Sequence, residues 1–351
     1  MSSFSVPRIP PGAVAAALRR FDVFRAVTPE TLEYLPSKGL AHDHVRIRGE
    51  GMLVRIPRWS QLGLDPGTNL THQAACFQRA GLSGHVPACR HRLPPDANLP
   101  MGGLVVDEVV GRPPRLPEDL PAIATALAAL HALPLPAPED RPPLASPLDP
   151  LAATRALVKA QAPWFRRARL AESVLRILDT EQGRLDDCPA SAPLTLIGTD
   201  THPGNFLLDA AGKAWLVDLE KAQYAHPALD LAHAILYTST TWDPECGRPI
   251  DRRDEVIFLR AWAAEVSPAC RQAVRRVWPW VRRLVWLRSL TWMARWRVEG
   301  ETLGGQLPPS LIRHVAARIA DFFDPDTLEQ VRDSLETSFP SFLFAPEPGS
   351  P

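Results

Sequence analysis

Lysine is nearly missing from this chain. Only Lys38, Lys159, Lys213 and Lys221 occur in 351 residues, so almost all positive charge is arginine. A GC-rich genome produces that bias, and it leaves few candidates for any role that needs an ammonium group. No charge of one sign dominates either: 39 basic residues meet 39 acidic ones. Nothing global therefore draws the chain to nucleic acid or to an anionic membrane. The five cysteines (Cys76, Cys89, Cys188, Cys246, Cys270) are scattered and form no Cys-x-x-Cys pair, so neither a zinc site nor a disulfide framework is indicated. Reduced thiols in a cytoplasmic protein are the expectation. No run approaches 18 uninterrupted apolar residues, and Met1 to Ala17 lacks the apolar stretch of a signal peptide, so no stable membrane association is expected. Walker-type and Gly-x-Gly-x-x-Gly phosphate loops are absent as well.

What is abundant is proline: 38 residues, about double the usual share, clustered at joints. With 45% hydrophobic and 22% charged residues, the composition is that of an ordinary globular protein long enough for two lobes. Residues 1–35 read as a helical lead-in, with Thr28-Pro29-Glu30-Thr31 offering a cap. Alternation in Val45–Arg48 and Met52–Ile56 around Gly49-Glu50-Gly51 signals a hairpin. A helix from about Asn69 to Ala80 follows, then a buried strand at Leu104–Val110. Residues 36–112 thus form a small β-rich lobe. Residues 113–351 read as a larger, mainly helical lobe. It carries Leu120, Ile123, Leu127 and Leu130 at helical spacing, a proline-rich loop from Pro134 to Pro150, and short strands around residues 194–217.

Asp200, Asn205 and Asp218 carry the chemistry. An Asp, an Asn five residues on, and a second Asp thirteen further is the spacing of kinases. There the first orients the acceptor hydroxyl, and the other two hold magnesium against nucleotide phosphates. Magnesium is hard and needs only one or two side-chain oxygens besides phosphate and water.

Three motifs in order sharpen this. Asp200-Thr201-His202-Pro203-Gly204-Asn205, Val217-Asp218-Leu219-Glu220 and Pro227-Ala228-Leu229-Asp230-Leu231-Ala232 resemble the signatures of the aminoglycoside phosphotransferase and choline kinase family. The resemblance spans roughly Gly39 to Leu236. It implies an α+β, bilobal, protein-kinase-like fold with the hinge at Val105–Gly111, where Glu108 would meet the nucleotide. It further implies Asp200 as catalytic aspartate, Asn205 and Asp218 as Mg2+ ligands, and ATP or GTP as phosphoryl donor. Asp230 would support the loop or face the acceptor, and Glu220 is a candidate acceptor- or metal-facing carboxylate. The acceptor would be a hydroxylated small molecule, a cationic amino sugar or amino alcohol being one class. No oligomeric state follows.

The chain also departs from the family. Where a histidine usually precedes the catalytic aspartate by two residues, Gly198 stands, followed by Thr199, whose hydroxyl is a candidate brace. The lysine of the third strand falls on Arg55, with Arg58 as a register-shifted alternative, and the helix glutamate that pairs with it falls near Gln73. Arginine is not a conservative exchange, though its donor fork suits phosphate. Either the phosphate anchor is reworked, or the chain is a nucleotide-binding scaffold with impaired chemistry. His42 and His44, after Gly39, lie where the family has its turn over the phosphates; a surface turn is the other reading. The acids Asp243, Glu245, Asp251, Asp254 and Glu255 would draw a cationic acceptor or simply form a solvated face. Five tryptophans between Val277 and Val298, interleaved with arginines, read as a core helix with arginines on its outer face; an amphipathic membrane-surface helix and an aromatic platform for a ligand are the other readings.

Overall fold

The computed structural model describes residues 9–36, 41–303 and 309–336. Its small lobe is built on a five-stranded antiparallel sheet in the order β1-β2-β3-β5-β4. The strands are β1 (Leu32–Tyr34), β2 (His42–Ile47), β3 (Met52–Pro57), β4 (Cys89–Leu93) and β5 (Gly103–Asp107). The expected hairpin forms β2 and β3, with Val45 opposite Val54. Its turn places Gly49 at φ 84° and Gly51 at φ 61°, a backbone that glycine adopts without strain. The lead-in belongs to this lobe. Helix α1 (Pro11–Leu18) packs Val14, Leu18 and the following Phe24 on one face of the sheet, against Val45, Val54 and Val105.

The other face is covered by α2 (Pro66–Gly81), longer than the sequence pattern suggests. It starts where Asp65 accepts the backbone N–H of Gly67 and Thr68, both at 3.1 Å, with Pro66 in the first turn. Successive residues of β5 alternate between the two faces, as a strand must: Val105 joins α1, while Leu104 and Val106 join Phe77 and Ala74 of α2.

The large lobe contains α3 (Leu120–His131), α4 (Pro150–Gln161), α5 (Pro163–Arg167) and α6 (Glu172–Gly183). Two small hairpin-like pairs follow: β6 (Thr195–Ile197) with β9 (Gln223–Ala225), and β7 (Phe206–Leu208) with β8 (Ala214–Leu216). Then come α7 (Ala228–Ile235), α8 (Tyr237–Thr240), α9 (Arg252–Glu265), the 36-residue α10 (Pro268–Leu303), α11 (Pro309–Phe322) and α12 (Pro325–Leu335). Helix α10 is the lobe's spine and packs against α7, α4 and α5. It buries Trp278 and Trp286, as a core helix should, but Arg282 and Arg283 are buried too rather than facing out. Their charges are met by Glu255 of α9 and Glu181 of α6. Among the described residues no helix is long and apolar enough to cross a membrane, and all five cysteines are free thiols.

The lobes meet at the hinge. Arg112 and Leu208 exchange two backbone hydrogen bonds, of 2.9 and 2.8 Å, which zip the linker to β7. A cavity of about 920 Å³ opens between the sheet and the large lobe.

Candidate active site

Asp200 sits at the floor of that cleft, in the loop between β6 and β7. The loop has an unusual backbone: Thr199, a β-branched residue, is held at φ 68°. Such a conformation persists only where its surroundings enforce it. Three contacts do. Asp230, at the start of α7 and fully buried, accepts the N–H of Gly198 at 2.7 Å and of Thr199 at 2.8 Å. Gln223 Nε2 donates to the Thr199 hydroxyl at 3.1 Å. Arg288 Nη2 donates to the Thr199 carbonyl at 3.0 Å.

Behind Asp230 stands a polar relay. Trp262 Nε1 donates to His131 Nδ1 at 3.0 Å, which leaves the proton on Nε2, and Nε2 lies 3.2 Å from Asp230 Oδ2, the oxygen that also accepts the Gly198 N–H. The missing histidine brace is thereby replaced from below. At Gly198 itself a Cβ would come within 3.0 Å of Thr201 and 3.1 Å of Leu216. Both oxygens of Asp230 are taken up within the protein, so this residue faces the loop and not the cleft.

Asp200 itself is ion-paired with Lys221, Oδ2 to Nζ, at 2.7 Å. Burial raises a carboxyl pKa, but the ammonium of Lys221 overcomes that and holds Asp200 well below the usual range. Lys221 is pushed the opposite way: burial disfavours its charge, and Asp200 more than restores it. Asp200 is thus a carboxylate at any working pH. Its loop is closed by Asn205, whose Nδ2 donates to the Asp200 carbonyl at 2.8 Å, leaving the amide oxygen available.

Asp218, following β8, reaches the same cleft. Arg55, on β3 of the other lobe, donates to the Val217 carbonyl at 2.7 Å and to Asp218 Oδ1 at 2.9 Å. Only 4% exposed, it is no solvated strand edge. Arg58 pairs with Asp43 instead, at 2.7 Å. Of the two registers, the structure therefore brings Arg55 to Asp218. Burial opposes ionisation of Asp218, and Arg55 more than offsets it, keeping its pKa lowered.

Other expectations come out differently. Gly39 and Leu40 lie outside the described residues, but His42 and His44 belong to β2, not to a turn. His44 Nε2 lies 3.2 Å from Arg55 Nη1, and His42 is buried 3.3 Å from Gln73. Glu220 is buried under α2, where Gln61 and Gln73 donate to it. Burial, then the charge of Asp218, raises its pKa to about 8. It does not line the cleft. Glu108 does line it, though its side chain is bound by Arg46 at 2.6 Å and its N–H by the Gly51 carbonyl at 2.8 Å. Of the acidic cluster, Asp251 and Asp254 cap α9 and Glu255 pairs with Arg282; only Asp243 and Glu245 line the cavity. Lys221, His131, Trp262 and Arg288 escaped the sequence reading. Lys221 alone left a signal there: a rare lysine three residues after Asp218.

The donor set can be tested against magnesium. The Asn205 amide oxygen and the Asp218 carboxylate are hard oxygens on residues that both line the cleft, with space for phosphate and water to complete the shell, so these residues fit. His42, Asp218 and Glu220 also come within 4.8 Å of one another. That trio includes an imidazole and a carboxyl that holds its proton at neutral pH, and suits magnesium less.

No curated protein matches the sequence. Among solved structures, a choline kinase from Cryptosporidium parvum Iowa II is 12% identical with a TM-score of 0.59, covering 95% of this chain and 99% of its own. The GDP complex of aminoglycoside 2'-phosphotransferase-IIIa is 16% identical with a TM-score of 0.58, over 89% and 98%. A Plasmodium vivax ethanolamine kinase is 12% identical with a TM-score of 0.53, over 89% and 88%. At these identities the likeness shows the fold alone. The sequence profile of the phosphotransferase enzyme family, however, matches residues 77–266, from within α2 to just past α9 and so across the whole loop that carries Asp200 and Asn205. The chain belongs to the phosphotransferase enzyme family that includes the aminoglycoside phosphotransferases.

Proposed function

We propose that this protein transfers a phosphoryl group from ATP or GTP to a hydroxyl of a small molecule. The observation that carries the reading is the Asp200 carboxylate, kept ionised by Lys221 at 2.7 Å on a loop closed by Asn205, in a cleft that also receives Asp218. The nucleotide enters between the sheet and the large lobe, past Leu53, Val106 and the hinge at Glu108. Asn205 and Asp218 would hold magnesium, which when bound neutralises charge on the phosphates. Asp200 orients the acceptor hydroxyl and takes its proton as the oxygen–phosphorus bond forms and the bond to the leaving nucleoside diphosphate breaks. Lys221 and Arg55 supply positive charge beside the transferring group. Alignment and charge stabilisation are enough, because phosphoryl transfer needs little covalent chemistry from the protein.

Asp200→Asn keeps the size of the side chain and removes its charge. Turnover should fall about 10²–10⁴-fold, the usual worth of a positioned acid–base group, while the melting shift produced by nucleotide persists. Unchanged turnover would remove Asp200 from this role. A second reading, a nucleotide-binding scaffold, is favoured by one contact: Arg55 closes on Asp218, a metal ligand in the first reading. Nucleotide binding with no magnesium-dependent turnover across a broad acceptor panel would select it.

A further inference from the structure

Arg288 is a cation at the cleft with no carboxylate of its own. It projects from α10 into the cavity beside Ser289 and Trp292. Among the described residues its one hydrogen bond goes to the Thr199 carbonyl, although a guanidinium carries five N–H donors. None of the described ion pairs includes it. The two acids whose charge it feels are already engaged: Asp200 by Lys221, Asp230 by two backbone N–H groups and His131. Burial accordingly holds its pKa below the ordinary value. A half-buried charge left without an ion-pair partner is costly, and proteins tolerate it where a ligand completes the pair.

Asp243 and Glu245, which also line the cavity, form no described ion pair with Arg288. Asp243 Oδ1 caps the N–H groups of Glu245 and Cys246 in its own turn, and Glu245 is exposed at the mouth. The nucleotide side of the cleft is served by Arg55. Arg288 reaches Asp200 from the large-lobe side, through the residue just before it, next to the apolar surfaces of Trp292 and Met293.

We propose that the acceptor carries an anionic group, a carboxylate or a phosphate, in addition to its hydroxyl, and that Arg288 pairs with that group. The inference rests on the phosphotransferase reading and departs from the cationic acceptor suggested by the acidic cluster. A guanidinium fork suits either anion bidentately. The anchored anion places the hydroxyl near Asp200, because Arg288 and Asp200 share the Thr199 backbone between them.

The test uses the full chain with magnesium and whichever of ATP or GTP raises its melting temperature. Nucleotide consumption is measured with glycerate and glycerol phosphate, with ethanolamine, choline and kanamycin, and with glycerol. The anion-bearing pair should raise consumption at least tenfold above the acceptor-free rate. Arg288→Gln should raise their KM about 30-fold or more, with a smaller change in kcat, as removal of one partner of a charge pair does; Arg288→Lys should recover part of it. Turnover of the amines or glycerol without response to the anions overturns the proposal. So does an Arg288→Gln effect on the nucleotide KM instead, which assigns Arg288 to the nucleotide phosphates. An equal loss of kcat with every acceptor also overturns it, and marks a loop brace. A chain that binds and slowly hydrolyses nucleotide, yet ignores the anions, loses this inference and keeps the phosphotransferase reading; a chain that binds no nucleotide loses both.

Discussion

His226 and His233 act as neutral groups, and the reason lies in which nitrogen accepts. His226 Nδ1 accepts the Ala228 N–H at 3.2 Å in a fully buried position, and His233 Nδ1 accepts the Thr201 N–H at 3.1 Å. A protonated ring has no lone pair left for either bond. Burial accordingly lowers the pKa of His226 to about 4, and burial with Arg288 nearby lowers that of His233 to about 3. The unfolded chain takes up these protons near pH 6.5, whereas the native protein does so only near 4 and 3. Between those limits the unfolded state binds more protons, so stability rises with pH and is lost on acidification. From pH 7 to pH 5 His226 alone should cost roughly 2 kcal/mol, from 1.36 kcal/mol per pH unit below 6.5. Urea unfolding at the two pH values measures this. His226→Asn, an amide that does not titrate, should flatten the dependence by that amount, and an unchanged slope would show that other groups carry the acid sensitivity.

Among the elements, the joint between the hinge and β7 leaves no room for a side chain. A Cβ on Gly111 would lie 2.5 Å from the Leu208 carbonyl oxygen, a backbone atom that cannot swing aside. Gly111→Ala should therefore separate the hinge from β7, weaken the paired Arg112–Leu208 hydrogen bonds and cost about 1–3 kcal/mol, the usual penalty of overpacking. Because β7 begins right after Asn205, turnover should fall tenfold or more as well, since small misplacements at a reacting centre are expensive. Gly183→Ala is the control: nothing lies within 4 Å, and both stability and turnover should stay close to the parent. This element level is also where the sequence became hard to read. The β2–β3 hairpin was legible because alternation and two turn glycines are local, and α3 because its leucines recur within four turns. Strands β1, β4 and β9 were not, since three to five residues carry no periodicity and their partners are remote. The site divides along the same line. Asp200, Asn205 and Asp218 are written within nineteen consecutive residues. The pairing of Arg55 with Asp218 spans 163 positions, and that of Arg288 with Thr199 spans 89, so only folding reveals them.

At the scale of the molecule, one apolar core runs from α2 and β5 of the small lobe to α12 of the large one. The lobes are therefore coupled, and His72 of α2 adds polar contacts to the Pro143 and Glu220 carbonyls across the boundary. Within this core two arginines of α10 are pinned by carboxylates from other helices. Arg282 is 1% exposed, donates to Glu255 at 2.8 Å and also holds the Ser334 carbonyl of α12 at 2.9 Å. Glu255→Ala removes the carboxylate that compensates a buried guanidinium, which typically costs about 3–5 kcal/mol. Glu255→Ala combined with Arg282→Met removes both charges and should recover most of that loss, because a packed apolar pair substitutes well for a buried ion pair. A continuous core implies that the damage is not confined to the large lobe. Hydrogen exchange in β3 and α2 should accelerate in Glu255→Ala by the same free energy as exchange in α9 and α10, with one thermal transition. If β3 and α2 kept their protection while α9 and α10 lost theirs, the lobes would be separate cooperative units, and the position of Arg55 against Asp218 would be an adjustable contact between them.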